Sequence, residues 1–200
     1  MEKIDFYEAV LKRRSVYSIG SDSSIADSEI EDIVKYAIKN APSAFNSQSQ
    51  RVVLAFGEHH IKIWQMLKEI MLSTLPADSL KRTEEKIASF MAGHGTILYY
   101  EDQKTVEGLQ KQFPLYADKF PIWSQQASGM LQYILWTALS ARGLGVNLQH
   151  YNPLIDGKLS EYFNIPSDWK LNAQMPFGKL ISPAGEKQFM DVEQRIKVFR

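Results

Sequence analysis

The chain has 200 residues, 44% apolar and 12% aromatic, enough for a buried core and too apolar for disorder to dominate. Its 23 basic and 23 acidic side chains balance to a formal net charge of zero, so it lacks the net basic field that non-specific nucleic-acid or anionic-membrane binding uses. Cysteine is absent, which excludes disulfides, thiolate nucleophiles, cysteine zinc sites and iron–sulfur clusters.

In chain order, the opening residues alternate charged and apolar side chains without the unbroken apolar stretch of a secretory leader. Asp5 to Lys12 has helical period, with Asp5 as cap, Glu8 completing an approximate capping box and Phe6, Ala9 and Val10 on one face. From about Asp27 the residues Ile30, Ile33, Val34, Ala37, Ile38 and Ala41 recur at three- and four-residue steps, and Pro42 marks the stop. After the loop PSAFNSQSQR, Val52 to Phe56 reads as a strand, and Ile61, Trp64, Leu67, Met71 and Leu75 mark a helix ending near Pro76. Ser79 to Met91 reads as a more polar helix, Thr96 to Tyr100 as a strand, and Gln103 to Phe113 as a weakly amphipathic helix.

Ser124 to Arg142 is apolar on both sides, since Ala127, Met130, Leu131, Ile134, Leu135, Ala138 and Leu139 form one stripe and Tyr133, Trp136 and Ala141 the other. Such a helix belongs at the centre of a structure and predicts a homodimer, because one chain does not bury all of that surface. Gly143 is its expected stop, Gly145 to Gln149 resumes as extended chain, and Leu171 to Phe177 alternates with the period of a half-buried strand. The class is α+β, in a single domain spanning residues 1–200 without repeat or linker. No window approaches the roughly 18 apolar residues of a membrane span. The expectation is a soluble cytoplasmic protein engaging neither membrane nor nucleic acid.

Few segments carry chemistry. Arg13 and Arg14 meet the negative end of the first helix's dipole, which is sufficient reason for two cations there; with Ser15 they also form a fork matched to a phosphate monoester. The loop at Pro42–Gln48 is either an ordinary helix-terminating turn or, through the amides of Asn46 and Gln48, a reader of a heterocycle edge that mixes carbonyl and N–H groups. Gly143 to Asn152 fails as a dinucleotide fingerprint, having two of the three glycines and running from helix into strand, but it offers a polar and aromatic cluster at a strand end. His59 and His60 are adjacent, so they lack the spacing of a metal-binding pair, and no serine sits in a nucleophile elbow. The histidines read as structural or surface groups and the carboxylates as solvated helix faces. The basic tail, with Lys187, Arg195, Lys197 and Arg200, is either a solvated end or a second source of charge for the Arg13 site.

Taken together, DFYEAVLKRRSVYSI, NAPSAFNSQSQR, ARGLGVNLQHYN, QMPFGKL and the basic tail resemble the nitroreductase family, especially its bacterial and fungal branch with an NLQHYN segment. The resemblance implies a central, mostly antiparallel sheet surrounded by helices and a homodimer with two flavin mononucleotides (FMN) at its interface. It also implies hydride transfer from NADH or NADPH to nitroaromatics, quinones or similar oxidised acceptors in alternating half-reactions. No catalytic side chain and no metal is implied, because the flavin carries the chemistry.

By the same resemblance, Arg13, Arg14 and Ser15 hold the phosphate, ribityl chain and pyrimidine edge. Ser43, Ala44 and Asn46 reach over the flavin from the partner subunit, with Gln48 close behind. Gln149, His150 and Tyr151 line the isoalloxazine, and Arg195, or less directly Lys197 or Lys187, contacts the phosphate. Two departures stand out. Ser49-Gln50 replaces the Pro-Trp that often follows the glutamine, and Tyr17 stands at the cofactor where a lysine is common, leaving Arg14 as the replacement cation. A flavin-binding sensor or carrier without turnover, and a dimeric interaction protein without cofactor, are the alternative readings.

Overall fold

Alternation along two long strands decides the architecture. In the computed structural model, which describes residues 5–200, strand β3 (Gly95–Asp102) is buried at every position. Ile97 and Tyr99 face one side of it and Leu98 and Tyr100 the other. A strand buried on both faces must lie inside a sheet covered by helices on both sides. β3 pairs with β2 (Gln50–Phe56) and with β5 (Trp169–Leu180), which also pairs with β1 (Ile19–Gly20) and β4 (Leu144–Val146). All four pairings are antiparallel, in the order β1–β5–β3–β2 with β4 also on β5.

One irregularity redirects β5. Tyr99 lies opposite Ala173 but Tyr100 lies opposite Leu171, so Asn172 is an extra residue in the ladder. The bulge switches parity: Ala173, Met175 and Phe177 join one core and Leu171 the other.

The first core is closed by α2 (Asp27–Asn40) and α6 (Phe120–Ala141), which contribute Ile30, Ile33, Ala37, Leu131, Leu135 and Leu139. The second is closed by α3 (Gly57–Thr74), α4 (Ala77–Met91) and α7 (Asp156–Phe163), with Ile63, Trp64, Ile87, Phe90 and Leu159. α1 (Phe6–Lys12) and α5 (Gln103–Gln112) both pack against α6. The result is the expected α+β architecture, a sheet between two helical layers.

Local differences have identifiable causes. α6 starts at Phe120 instead of Ser124, because Pro121 occupies the first turn, where its missing N–H costs nothing. α7 lies in a stretch too short for the period to register in sequence, and it is fixed by burial of Leu159 next to Ile155. In α1, Asp5 does cap, accepting from the Tyr7 and Glu8 amides, but Glu8 pairs with Lys12 at 2.7 Å instead of closing a capping box. No residue of α1 is buried, and Phe6, Tyr7 and Leu11 are exposed.

Candidate functional site

α1 ends at Arg13, whose amide still bonds to Ala9 before the backbone turns extended. The chain then runs beside β4, with Val16 N donating to Val146 O at 2.9 Å and Ser15 bridging Val146 in parallel. Gly145 makes this approach possible, since a Cβ there would sit 2.7 Å from Ile19 Cγ2 and 3.0 Å from Val16 Cγ1.

Beyond β4 a run of buried amides locks the segment. Asn147 Nδ2 donates to Val16 O at 2.9 Å, and Gln149 Nε2 donates to Asn147 Oδ1 at 2.8 Å. Gln149 and Gln174 exchange backbone bonds of 2.7 and 2.9 Å, and Tyr151 N donates to Gln174 Oε1 at 2.8 Å. Buried polar groups need partners, and here they find them in one another, so two segments 130 residues apart form one rigid ledge. Gln174 Nε2 is the exception: it is buried and unpartnered.

Charge gathers at the front of this ledge. The Arg13 guanidinium lies 4.7 Å from the Trp136 ring centroid, and Trp136 Nε1 donates to Arg14 O at 3.2 Å. Arg14 Nη2 donates to Gly185 O at 2.6 Å, which brings the start of the tail to the ledge. Neither arginine pairs with a carboxylate among the described residues, and Ser15 beside them is exposed. At the other end, Tyr17 is exposed and 6.5 Å from the Phe90 ring, which is 6.3 Å from that of Tyr151. Burial, and after it the nearby Tyr17 hydroxyl, push the Tyr151 phenol above its ordinary value, so it remains a proton-bearing donor. His150 is exposed.

The remaining expected residues lie elsewhere. Phe45, Asn46 and Gln48 have positive φ, of 56°, 51° and 49°. Ser43 Oγ accepts from Gln48 N at 3.0 Å, while the Asn46 and Gln48 side chains face outward. Phe45 sits among Phe113, Tyr116, Phe120 and Trp123, with ring centroids 4.8–6.2 Å away, beside a cavity of about 330 Å³ that Ala44, Gln126 and Met130 also line. No hydrogen bond or ring contact joins this loop to the Arg13 ledge among the described residues. Arg195 follows a short turn at Val192–Gln194 and is exposed, as are Lys187 and Lys197; among the described residues the tail's hydrogen bond to the ledge is at Gly185.

Two buried acids depart from the sequence reading, while the structural reading of the histidines holds for His60. His60 is buried and bridges Thr96 Oγ1 (2.7 Å) and Met91 O (3.2 Å), while Trp64 Nε1 also donates to Thr96 Oγ1. Burial lowers its pKa to about 4, so it is a neutral structural imidazole. The carboxylates are not all solvated, because Glu101 and Asp102 lie at the covered end of β3. Burial raises Glu101 to about 7, against the Ser49 hydroxyl and the Arg51 guanidinium nearby, which favour its charged form. Asp102 resists its own burial, since Thr105 N and Oγ1 donate to it and Arg51 pairs with it, and its pKa falls. Among the described residues no cluster of three or more metal-ligating side chains occurs, and no helix is long and apolar enough to cross a membrane.

Residues 10–179 match the Nitroreductase family. The Saccharomyces cerevisiae protein HBN1 is 35% identical over 192 residues, covering 94% of this chain and 95% of its own. Nitroreductase CinD from Lactococcus lactis, solved with chloramphenicol, superposes with a TM-score of 0.88 at 41% identity, covering 98% of this chain and all of CinD; it has also been solved with 4-nitrophenol. A Desulfitobacterium hafniense nitroreductase with bound FMN shares the fold alone, at 15% identity and a TM-score of 0.71 over the whole of both chains. By family match, identity and fold, the chain belongs to the nitroreductase family.

Proposed function

We propose that the protein is an FMN-dependent oxidoreductase that takes hydride from NADH or NADPH and delivers it to nitroaromatic, quinone or similar oxidised organic acceptors, working as a homodimer of single-domain subunits. The observation that carries this reading is the pair of guanidiniums without carboxylate partners among the described residues, beside an exposed hydroxyl, at the front of a ledge whose buried amides, Gln174 Nε2 apart, are already hydrogen-bonded. Such a fork suits a phosphate dianion, which supplies the missing counter-charge. The unpartnered Gln174 Nε2 and the donor Tyr151 suit a ring system rich in acceptors. The residues present therefore fit the cofactor.

Arg13, Arg14 and Ser15 would hold the phosphate and ribityl chain, and Tyr17 and the 149–151 backbone would flank the ring. Ser43, Ala44, Asn46 and Gln48 would reach the partner subunit's cofactor, and Arg195 would add charge from the tail. When bound, the flavin supplies the hydride chemistry in two alternating half-reactions. The protein's own contribution is orientation and exclusion of water. CinD complexes with chloramphenicol and 4-nitrophenol support a nitroaromatic class of acceptor.

The purified protein is expected to be yellow, to bleach on anaerobic addition of NADH or NADPH, and to recover its colour on addition of a nitroaromatic or quinone. A yellow protein that fails to bleach would be a carrier or sensor. A colourless one that takes up no FMN would overturn the reading.

A further inference from the structure

The Ser43–Gln48 loop has three non-glycine residues at positive φ within four positions, a conformation that an unsupported chain abandons. Its entry is held by the Phe45 ring among its aromatic neighbours and by Ser43, through its own Oγ and O. At its exit Gln50 Nε2 donates to Pro42 O at 3.4 Å, and one charged side chain reaches the Gln48 carbonyl. Arg51 Nη1 donates to Gln48 O at 2.7 Å and to Gln50 O at 3.0 Å, while Nη2 donates to Asp102 Oδ2 at 2.6 Å.

Asp102 is itself anchored. It caps α5 through Thr105 N at 3.1 Å and Thr105 Oγ1 at 2.9 Å, and its own amide donates to Ser49 O at 2.9 Å. The guanidinium is 5.7 Å from the Trp169 ring centroid. One planar fork thus ties the end of the loop to the start of a helix, which a lysine ammonium cannot reproduce in three fixed directions.

We propose that Arg51, held by Asp102, is a positioning residue that fixes the Ser43–Gln48 loop in the shape it needs to reach the cofactor of the partner subunit. The inference rests on the function proposed above. It also explains how Ser49-Gln50 can stand in the place of a stiffening proline: the rigidity comes from the side chain that follows.

The test is amide hydrogen exchange on the full-length protein, FMN-free and FMN-loaded, in the wild type and in Arg51→Ala, Arg51→Lys and Asp102→Asn. In the wild type the Asn46, Ser47 and Gln48 amides are bonded within the loop. Loss of the fork is expected to speed their exchange roughly tenfold in Arg51→Ala, and less in Arg51→Lys and Asp102→Asn, with β3 and β5 amides unchanged. FMN affinity and the acceptor KM should weaken in the same order, and kcat less than KM. Wild-type exchange at the three amides in Arg51→Ala would overturn the proposal. If Arg51→Ala fails to fold, the Asp102→Asn protein, which keeps the side-chain shape and most of the cap, decides by the same amides. Because the FMN-free arm needs no cofactor, a wild type that binds no FMN refutes the functional reading separately.

Discussion

The ledge at 13–17 and 147–151 and the loop at 43–48 both carry amides and hydroxyls, yet they use them in opposite ways. On the ledge Asn147, Gln149 and Gln174 are buried and, Gln174 Nε2 apart, their side chains bond to one another or to neighbouring backbone, so shape is set before any ligand arrives. In the loop Asn46 and Gln48 face outward, and the backbone is held in a costly conformation by Phe45 and Arg51. On the function proposed above, the first is the cofactor's receptor and the second the contact offered to the partner subunit.

Four changes break or sharpen that contrast, the largest first. Arg13→Ala removes a guanidinium that has no carboxylate partner among the described residues, and FMN affinity, measured by quenching of flavin fluorescence, is expected to fall about 10- to 100-fold with little change in melting temperature. Unchanged affinity would remove Arg13 from the phosphate site. Asn147→Leu acts in the opposite way: it orphans the buried Val16 carbonyl and Gln149 amide and should cost about 1–3 kcal/mol in urea unfolding whether or not FMN is present.

The third change uses pH. His60, lowered by burial to about 4, binds its proton more readily when unfolded, so its contribution to stability is lost as pH falls below about 6.5. Glu101, raised by burial to about 7, binds its proton more readily when folded, so its contribution is lost as pH rises above about 4.5. Between pH 7 and 5 the two oppose each other. Glu101→Gln is therefore expected to lose about 2 kcal/mol more than the wild type over that interval, and parallel pH profiles would refute the assignment. The last change is Asn46→Ala: its side chain is solvated, but alanine tolerates the φ of 51° less well than asparagine, so a loss of about 1 kcal/mol is expected by thermal unfolding, while turnover with a nitroaromatic acceptor drops.

The parts legible in sequence were those governed by period. α2 carries an apolar stripe, α6 is apolar on both sides, and the β5 alternation holds through Ala173, Met175 and Phe177, although the strand is buried on both faces there and not half-buried as its pattern suggests. The bulge at Asn172 was hidden, because parity looks unbroken in sequence when the ladder absorbs the extra residue. β1 is two residues long and exists only as a partner for β5, so no pattern could announce it. At the proposed site, Arg13, Arg14 and the 149–151 segment are picked out by residue type, and the structure sets them along one ledge. That Gln149 acts as a buried brace through its side chain was not legible, since a buried and a ligand-facing amide read alike. The acids at 101 and 102 look like helix-surface charge until the pairing of β3 places them inside.

The central claim is that each cofactor is held by the ledge of one subunit and the loop of the other, and a mixed dimer tests it directly. Arg13→Ala and Asn46→Ala subunits are each prepared, shown to be weak in FMN-supported turnover, then unfolded together and refolded at equal concentration. If ledge and loop act across the interface, half the dimers are mixed and each holds one intact site, so activity returns to about a quarter of the wild-type value. If the mixture remains as weak as the average of its two parents, ledge and loop do not meet across a dimer, and the account of the site is wrong.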